Sequence, residues 1–270
     1  MLEDDALPTD DVGAWVKDKH DRLRKYVDIS RAARRKFFEG SGGATYIDLY
    51  SGTGRAVVRE TGETIDGSPL VAFKSASEGG VPFSEVHIAD ADEEKCFAAA
   101  KRIANAGGRA ATDVGPAEET AARIVGRLNK YGLHFAFLDP FNLDDLPFSV
   151  IEAFSHLKRI DMLIHVSAQD LQRNLDAYSM SMDGPLDHFA PGWRSAVDLS
   201  QSRSATRAAY IAYWASKMEA LGLPPARRAE LVSGTTKNQR LYWLVFVSRS
   251  DFAKGLWDKI RNLSGQGELL

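Results

Sequence analysis

The sequence predicts an α/β fold, a mainly parallel seven-stranded sheet with helices on both faces and an antiparallel last strand. Three observations predict it. From residue 44 onward, short apolar runs alternate with helical patterns, as strands and crossover helices do. The first run, "YIDLY", breaks directly into the glycine turn "SGTGR" at residues 51–55. The last two runs, 229–233 and 241–248, are joined by a polar loop with no room for a crossover helix, so they pair antiparallel.

The elements follow in chain order. Residues 1–43 form an N-terminal basic helical segment packed on the core. Between Lys17 and Lys36 nine basic residues stand against three acidic ones. Trp15, Leu23, Tyr26, Val27, Ala33 and Phe37 recur there at helical intervals, which predicts amphipathic helices with a basic outer face. That face reads either as a solvated surface or as a contact for phosphate backbone. Residues 44–270 form the α/β domain. Strands are expected at about 45–50, 84–89, 109–112, 134–138 and 161–167, ahead of the closing pair. Helix 69–78 begins with Ser68 as N-cap and Pro69 in its first turn. Helix 92–106 ends at Gly107-Gly108, and helix 116–130 ends before Gly132. A helical insertion at about 168–226 contains "RAAYIAYWASKMEALGL" and leaves from the end of the fifth strand. Its Trp193, Tyr210, Tyr213 and Trp214 fit either core packing or an exposed apolar patch. Lys237 and Arg240, in the final hairpin, fit a solvated tip or a phosphate contact.

Composition narrows the function classes. No run of eighteen apolar residues occurs, and the acidic, polar start lacks the pattern of a signal peptide, so a soluble, cytoplasmic protein without membrane association is expected. Cys96 is the single cysteine, which leaves no internal disulfide and no multi-cysteine zinc site. The histidines show no H-x-x-x-H spacing, and no metal is implied.

Five parallel strands closed by an antiparallel hairpin strand is the Rossmann-like pattern associated with class I S-adenosylmethionine-dependent methyltransferases. In such a sheet the ligand crevice lies outside the carboxyl ends of the strands. Gly52 and Gly54 would let backbone approach a ligand, with Thr53 and Arg55 completing the turn. A dinucleotide fingerprint wants Gly or Ala at position 57, which is Val here. S-adenosylmethionine lacks a pyrophosphate and carries a sulfonium and an ammonium. It suits a turn preceded by an acid, which Asp48 supplies. The second strand ends in Asp90, placed to accept hydrogen bonds from two ribose hydroxyls. Asp90 lies 36 residues beyond Gly54, and the surplus, "RAVVRETGETIDGSPL", is expected to form a small flap. Asp113, at the end of the third strand, is a candidate acceptor for the adenine amino group or a helix N-cap.

"HFAFLDPFNL" carries the second candidate group, Asp139, Pro140 and Phe141. The element resembles the Asp/Asn-Pro-Pro-aromatic motif of amino-methyltransferases without its second proline. An exocyclic base amine is a poor nucleophile because its lone pair is conjugated. A carboxylate and a backbone carbonyl accepting its N–H bonds direct that lone pair to the sulfonium methyl, while an aromatic ring stacks on the extruded base. The alternative is a strand-ending Asp-Pro with Phe141 packed under a loop.

In order along the chain, "WVKDKHDRLRKYVDIS", "YIDLYSGTGR", "GSPL", "VHIAD", "FAFLDPFNL" and "YWLVFVSR" resemble the three-Cys-motif partner proteins (TcmP). The resemblance implies a methyltransferase-like fold and a partner protein carrying a three-cysteine, radical-SAM-type motif. It places the cofactor turn on Asp48, Gly52 and Gly54, the second-strand acid on Asp90, and the Asp-Pro-aromatic element on Asp139, Pro140 and Phe141. Tyr50 and Ser51 depart from the commoner Phe-Ala. Two functions fit: a methyltransferase acting on a nucleic-acid base amine, and a non-catalytic, cofactor-binding module that holds or regulates the partner.

Overall fold

Strict period-two alternation in the central strands sends side chains to two separate cores. The computed structural model describes residues 5–40, 42–226, 230–233 and 240–263. The elements are β1 (Asp10–Val12), α1 (Val16–Ile29), α2 (Arg31–Phe38), β2 (Ala44–Asp48), β3 (Arg55–Val58), β4 (Thr64–Asp66), α3 (Ser68–Glu78), β5 (Glu85–Asp90), α4 (Glu93–Asn105), β6 (Ala111–Val114) and α5 (Ala117–Arg127). They continue with β7 (Leu133–Leu138), α6 (Phe148–Ser155), β8 (Ile160–Ser167), α7 (Ala168–Met180), α8 (Pro185–Phe189), α9 (Arg203–Ala220), β9 (Glu230–Ser233), β10 (Arg240–Ser248) and α10 (Asp251–Leu263).

Seven strands form the main sheet in the order β6-β5-β2-β7-β8-β10-β9. The first five are mutually parallel, and β10 runs antiparallel to both β8 and β9. The expected architecture is therefore present, closing pair included. On one face Tyr46, Phe135, Phe137 and Leu163 meet α1, α3, α4 and α10. On the other, Ile47, Ala136, Leu138 and Ile164 meet α5, α6 and the helices of the 168–226 insertion. Trp193, Tyr210 and Trp214 lie within that second core, so the insertion does not present them as an apolar patch.

Three local expectations are corrected. Residue 67, not Ser68, is the N-cap of α3, with Pro69 in the first turn as expected. The surplus after Gly54 forms the hairpin β3–β4, and β1, which carries no strand pattern in the sequence, joins it parallel to β3 as a three-stranded sheet. Nor are the N-terminal helices basic only on their outer face: Lys19, Arg22 and Arg34 are buried. Lys19 falls in the stripe Val16, Lys19, Leu23, Tyr26, which is the face of α1 turned to the core. Lys237 lies outside the described residues.

Candidate functional site

The carboxyl ends of β2, β5, β7 and β8 open into a cavity of about 670 Å³, overhung by β1, α1 and the start of α7. Gly52, Arg55, Asp90, Asp139, Pro140 and Phe141 line it, as the sequence places them. Asp48, Thr53, Gly54 and Asp113 do not.

In the turn after β2, Gly52 and Gly54 have φ of +53° and +74°, where a side chain is strained. A Cβ on Gly54 would lie 2.8 Å from Leu70 Cδ1 and 3.0 Å from Ala99 Cα, so helix packing requires its bareness. A Cβ on Gly52 would lie 2.5 Å from Asp10 Oδ2. That carboxylate accepts the Thr53 N–H at 2.7 Å and pairs with Lys95 at 3.0 Å. Asp90 Oδ2 accepts the Gly52 N–H at 2.9 Å and its Oδ1 the Asp92 N–H at 3.0 Å. Burial pushes the Asp90 carboxyl up against those bonds. Each of its oxygens keeps a second lone pair for a ligand hydroxyl.

Asp48 is fully buried. It accepts the Tyr46 hydroxyl at 2.9 Å and the Tyr50 N–H at 3.2 Å, and burial pushes its carboxyl up to about 7. Its role is to brace the turn from below. Thr53 Oγ1 donates to the carbonyl two residues on, Arg55 O, at 2.6 Å. Arg55 pairs with Asp5 at 3.1 Å. The N-terminal segment is pinned by Arg102, whose guanidinium donates to both Asp5 oxygens and to Thr53 O. Asp113 is held away from the cavity by Arg123 and Arg127 of α5, which stand one turn apart and both reach its carboxylate. The N-cap of α5 is Pro116, so Asp113 does not cap that helix.

At the end of β7, Asp139 sits in an ionic cluster that the sequence reading missed. Lys19 binds Asp139 Oδ2, and His165 Nδ1 lies 3.4 Å from Oδ1. Burial raises the Asp139 carboxyl, but Lys19, His165 and His20 outweigh it and hold it below the usual range. Burial drives both His165 and His20 down to about 4, so both are neutral at pH 7. Trp15 stacks on His165 with a 6.2 Å centroid separation, and Lys19 lies over the Trp15 ring at 4.8 Å. The signal for Lys19 was its place in the apolar stripe of α1. His165 stood in a run of buried strand residues, where nothing local distinguishes it. Two residues beyond Asp139, Phe141 is 91% exposed at the cavity's edge. No group of residues able to hold a metal ion occurs among the described residues, and no described helix is long and apolar enough to cross a membrane.

No protein-family model and no curated protein matches the sequence. Solved structures do. Protein LPL1258 (DUF519) from Legionella pneumophila superposes with a TM-score of 0.54 at 9% identity, over 90% of this chain and 91% of that one. The DszA carbon methyltransferase superposes with a TM-score of 0.50 at 11% identity, over 87% of this chain and 54% of that one. These likenesses are of fold. With the observed strand order, they give the chain the class I methyltransferase fold.

Proposed function

We propose that this chain transfers a methyl group from S-adenosylmethionine to an exocyclic amine of a nucleic-acid base. One observation carries the reading: Asp139 and Pro140 form the floor of an open cavity, and the next residue, Phe141, stands almost wholly in solvent beside it. A large apolar side chain left bare at a polar cleft is suited to stack on a planar ligand.

The donor set fits the cofactor. Both N–H groups of the Gly52-Thr53 turn are spent on the carboxylates of Asp90 and Asp10, leaving no free amide there for a pyrophosphate. Asp90 would hold the ribose hydroxyls, and the carboxylates of the turn suit a cationic ligand. When bound, the cofactor supplies an electrophilic methyl on a good leaving group. The chain's own work is positioning. Lys19 keeps Asp139 ionised, so it acts as a hydrogen-bond acceptor throughout the neutral range. The Pro140 carbonyl is the second acceptor, and Phe141 supports the base plane. By its resemblance to the three-Cys-motif partner proteins, the chain works beside a three-cysteine, radical-SAM-type protein. A purely non-catalytic module would close the methyl site and expose the insertion's aromatics. The open cavity and the buried Trp193, Tyr210 and Trp214 favour the enzyme.

Calorimetric titration with S-adenosylmethionine and S-adenosylhomocysteine, with NAD as control, tests the cofactor. Selective binding that Asp90→Ala abolishes is expected. Absence of binding to folded protein overturns the proposal. Transfer of labelled methyl to RNA or DNA, lost in Asp139→Asn with cofactor binding intact, then tests the acceptor.

A further inference from the structure

A second cavity, of about 350 Å³, lies at the opposite end of the sheet, under the amino ends of β2, β7 and β8 and closed by α1, α2 and α10. Five aromatic residues stand in its walls: Tyr26, Phe37, Phe83, Phe135 and Phe252. Its charge is one-sided. Arg34, Lys158, Arg159 and Arg249 line it against a single carboxylate, Asp161. That carboxylate already accepts the Tyr26 hydroxyl at 2.7 Å and the Ser248 hydroxyl at 2.5 Å. Burial pushes the Asp161 carboxyl up, against the two hydroxyl bonds that hold it down.

Arg34 is the unusual member. It is 2% exposed, and its donors reach two carbonyls and a hydroxyl but no carboxylate: Nε to Val81 O at 2.8 Å, Nη1 to Val27 O at 2.6 Å and to Ser30 Oγ at 3.2 Å. Nη2 has no hydrogen-bond partner among the described residues. The guanidinium lies over the Phe83 ring at 4.8 Å, and burial lowers its pKa to about 10. A buried guanidinium with no carboxylate in hydrogen-bond contact and an incomplete set of acceptors is costly. A ligand oxyanion would supply both at once.

We propose that this cavity binds a small aromatic carboxylate, its ring among the aromatic walls and its carboxylate on Arg34. The one open guanidinium nitrogen, with its two N–H donors, and the five rings select a monoanion with an apolar body. A phosphate dianion would call for several convergent donors. The volume sits at the small end of ligand pockets. The site is separate from the methyl-transfer cavity, so neither reading depends on the other.

Isothermal titration with benzoate and with its uncharged analogue benzamide, in low-chloride buffer, tests this on the whole chain and on Arg34→Gln and Ala33→Trp. Ala33 lines the cavity from α2, and an indole there fills it. Saturable benzoate binding is expected, about tenfold or more tighter than benzamide. Arg34→Gln should weaken it by a similar factor, and Ala33→Trp should abolish it while keeping the wild-type circular dichroism and unfolding temperature. If Arg34→Gln fails to fold, the benzamide comparison and Ala33→Trp decide. Absence of saturable benzoate binding, equal affinity for benzamide, or unchanged benzoate affinity in folded Ala33→Trp would overturn the proposal.

Discussion

The two turns that meet at the large cavity, 51–55 after β2 and 139–142 after β7, are built in opposite ways. The first is a matter of backbone. Its glycines adopt conformations that side chains resist, and its amides are satisfied by carboxylates from β1 and β5. The second is a matter of side chains: a buried carboxylate balanced by a lysine and flanked by two neutral histidines, followed by a phenylalanine with almost nothing around it. Backbone demands are local and therefore readable, whereas charge balance in a buried site is assembled from segments 120 residues apart.

The sharpest way to break this contrast is to remove the lysine. Lys19→Met leaves Asp139 buried beside neutral histidines, and the loss of stability in urea at pH 7 should be about 4 kcal/mol. Lys19→Met combined with Asp139→Asn should lose clearly less than the sum of the single variants, because the two side chains are directly coupled. An additive result would mean that Lys19 acts only through packing.

The glycine turn is expected to respond by position. Gly54→Ala meets Leu70 and the Ala99 backbone at a positive φ, and should cost about 3 kcal/mol. Gly52→Ala meets only the movable end of Asp10, and should cost about 1 kcal/mol. Equal losses would show that the turn's strain, and not its neighbours, sets the cost.

Two carboxylates give the contrast a sign in pH. Asp48 has its carboxyl raised from 3.8 to about 7, so the folded state binds the extra proton and that contribution is lost as pH rises through this interval. Asp48→Asn should therefore gain stability relative to wild type between about pH 4 and pH 7. Asp139 is held below 3.8, and its contribution is present above that value and lost in acid. The penalty of Asp139→Asn should accordingly shrink below about pH 4. Parallel pH slopes for the two variants would contradict the assigned charge states.

Phe141→Ala marks the small end of the scale. With 91% of the residue exposed, its removal should change stability by less than about 0.5 kcal/mol. Methyl transfer to nucleic acid should nonetheless fall by about tenfold or more if the ring stacks on the acceptor base.

Much of the frame was legible from residue patterns. The alternation of short apolar runs with helical patterns from residue 44 announced a sheet covered on both faces, and the closing loop was too short for a crossover helix. Asp90, Asp139 and Phe141 were found because a parallel sheet sends strand ends to one edge. Asp113 lies outside the cavity for a reason beyond its own segment: Arg123 and Arg127 lie on the following helix and take its carboxylate. β1 was invisible because three residues paired only with an insertion hairpin carry no periodicity of their own.

By itself, then, the sequence determined the class of fold, the antiparallel closing pair and the two turns that meet at the large cavity. Those features follow from backbone conformation and period-two burial, which each short segment expresses alone. Only the tertiary structure decided which acids face the cavity, that Asp10 sits on the glycine turn, and that Lys19 crosses from α1 to neutralise Asp139. Burial and counter-charge are properties of the assembled surroundings, and no local pattern encodes them.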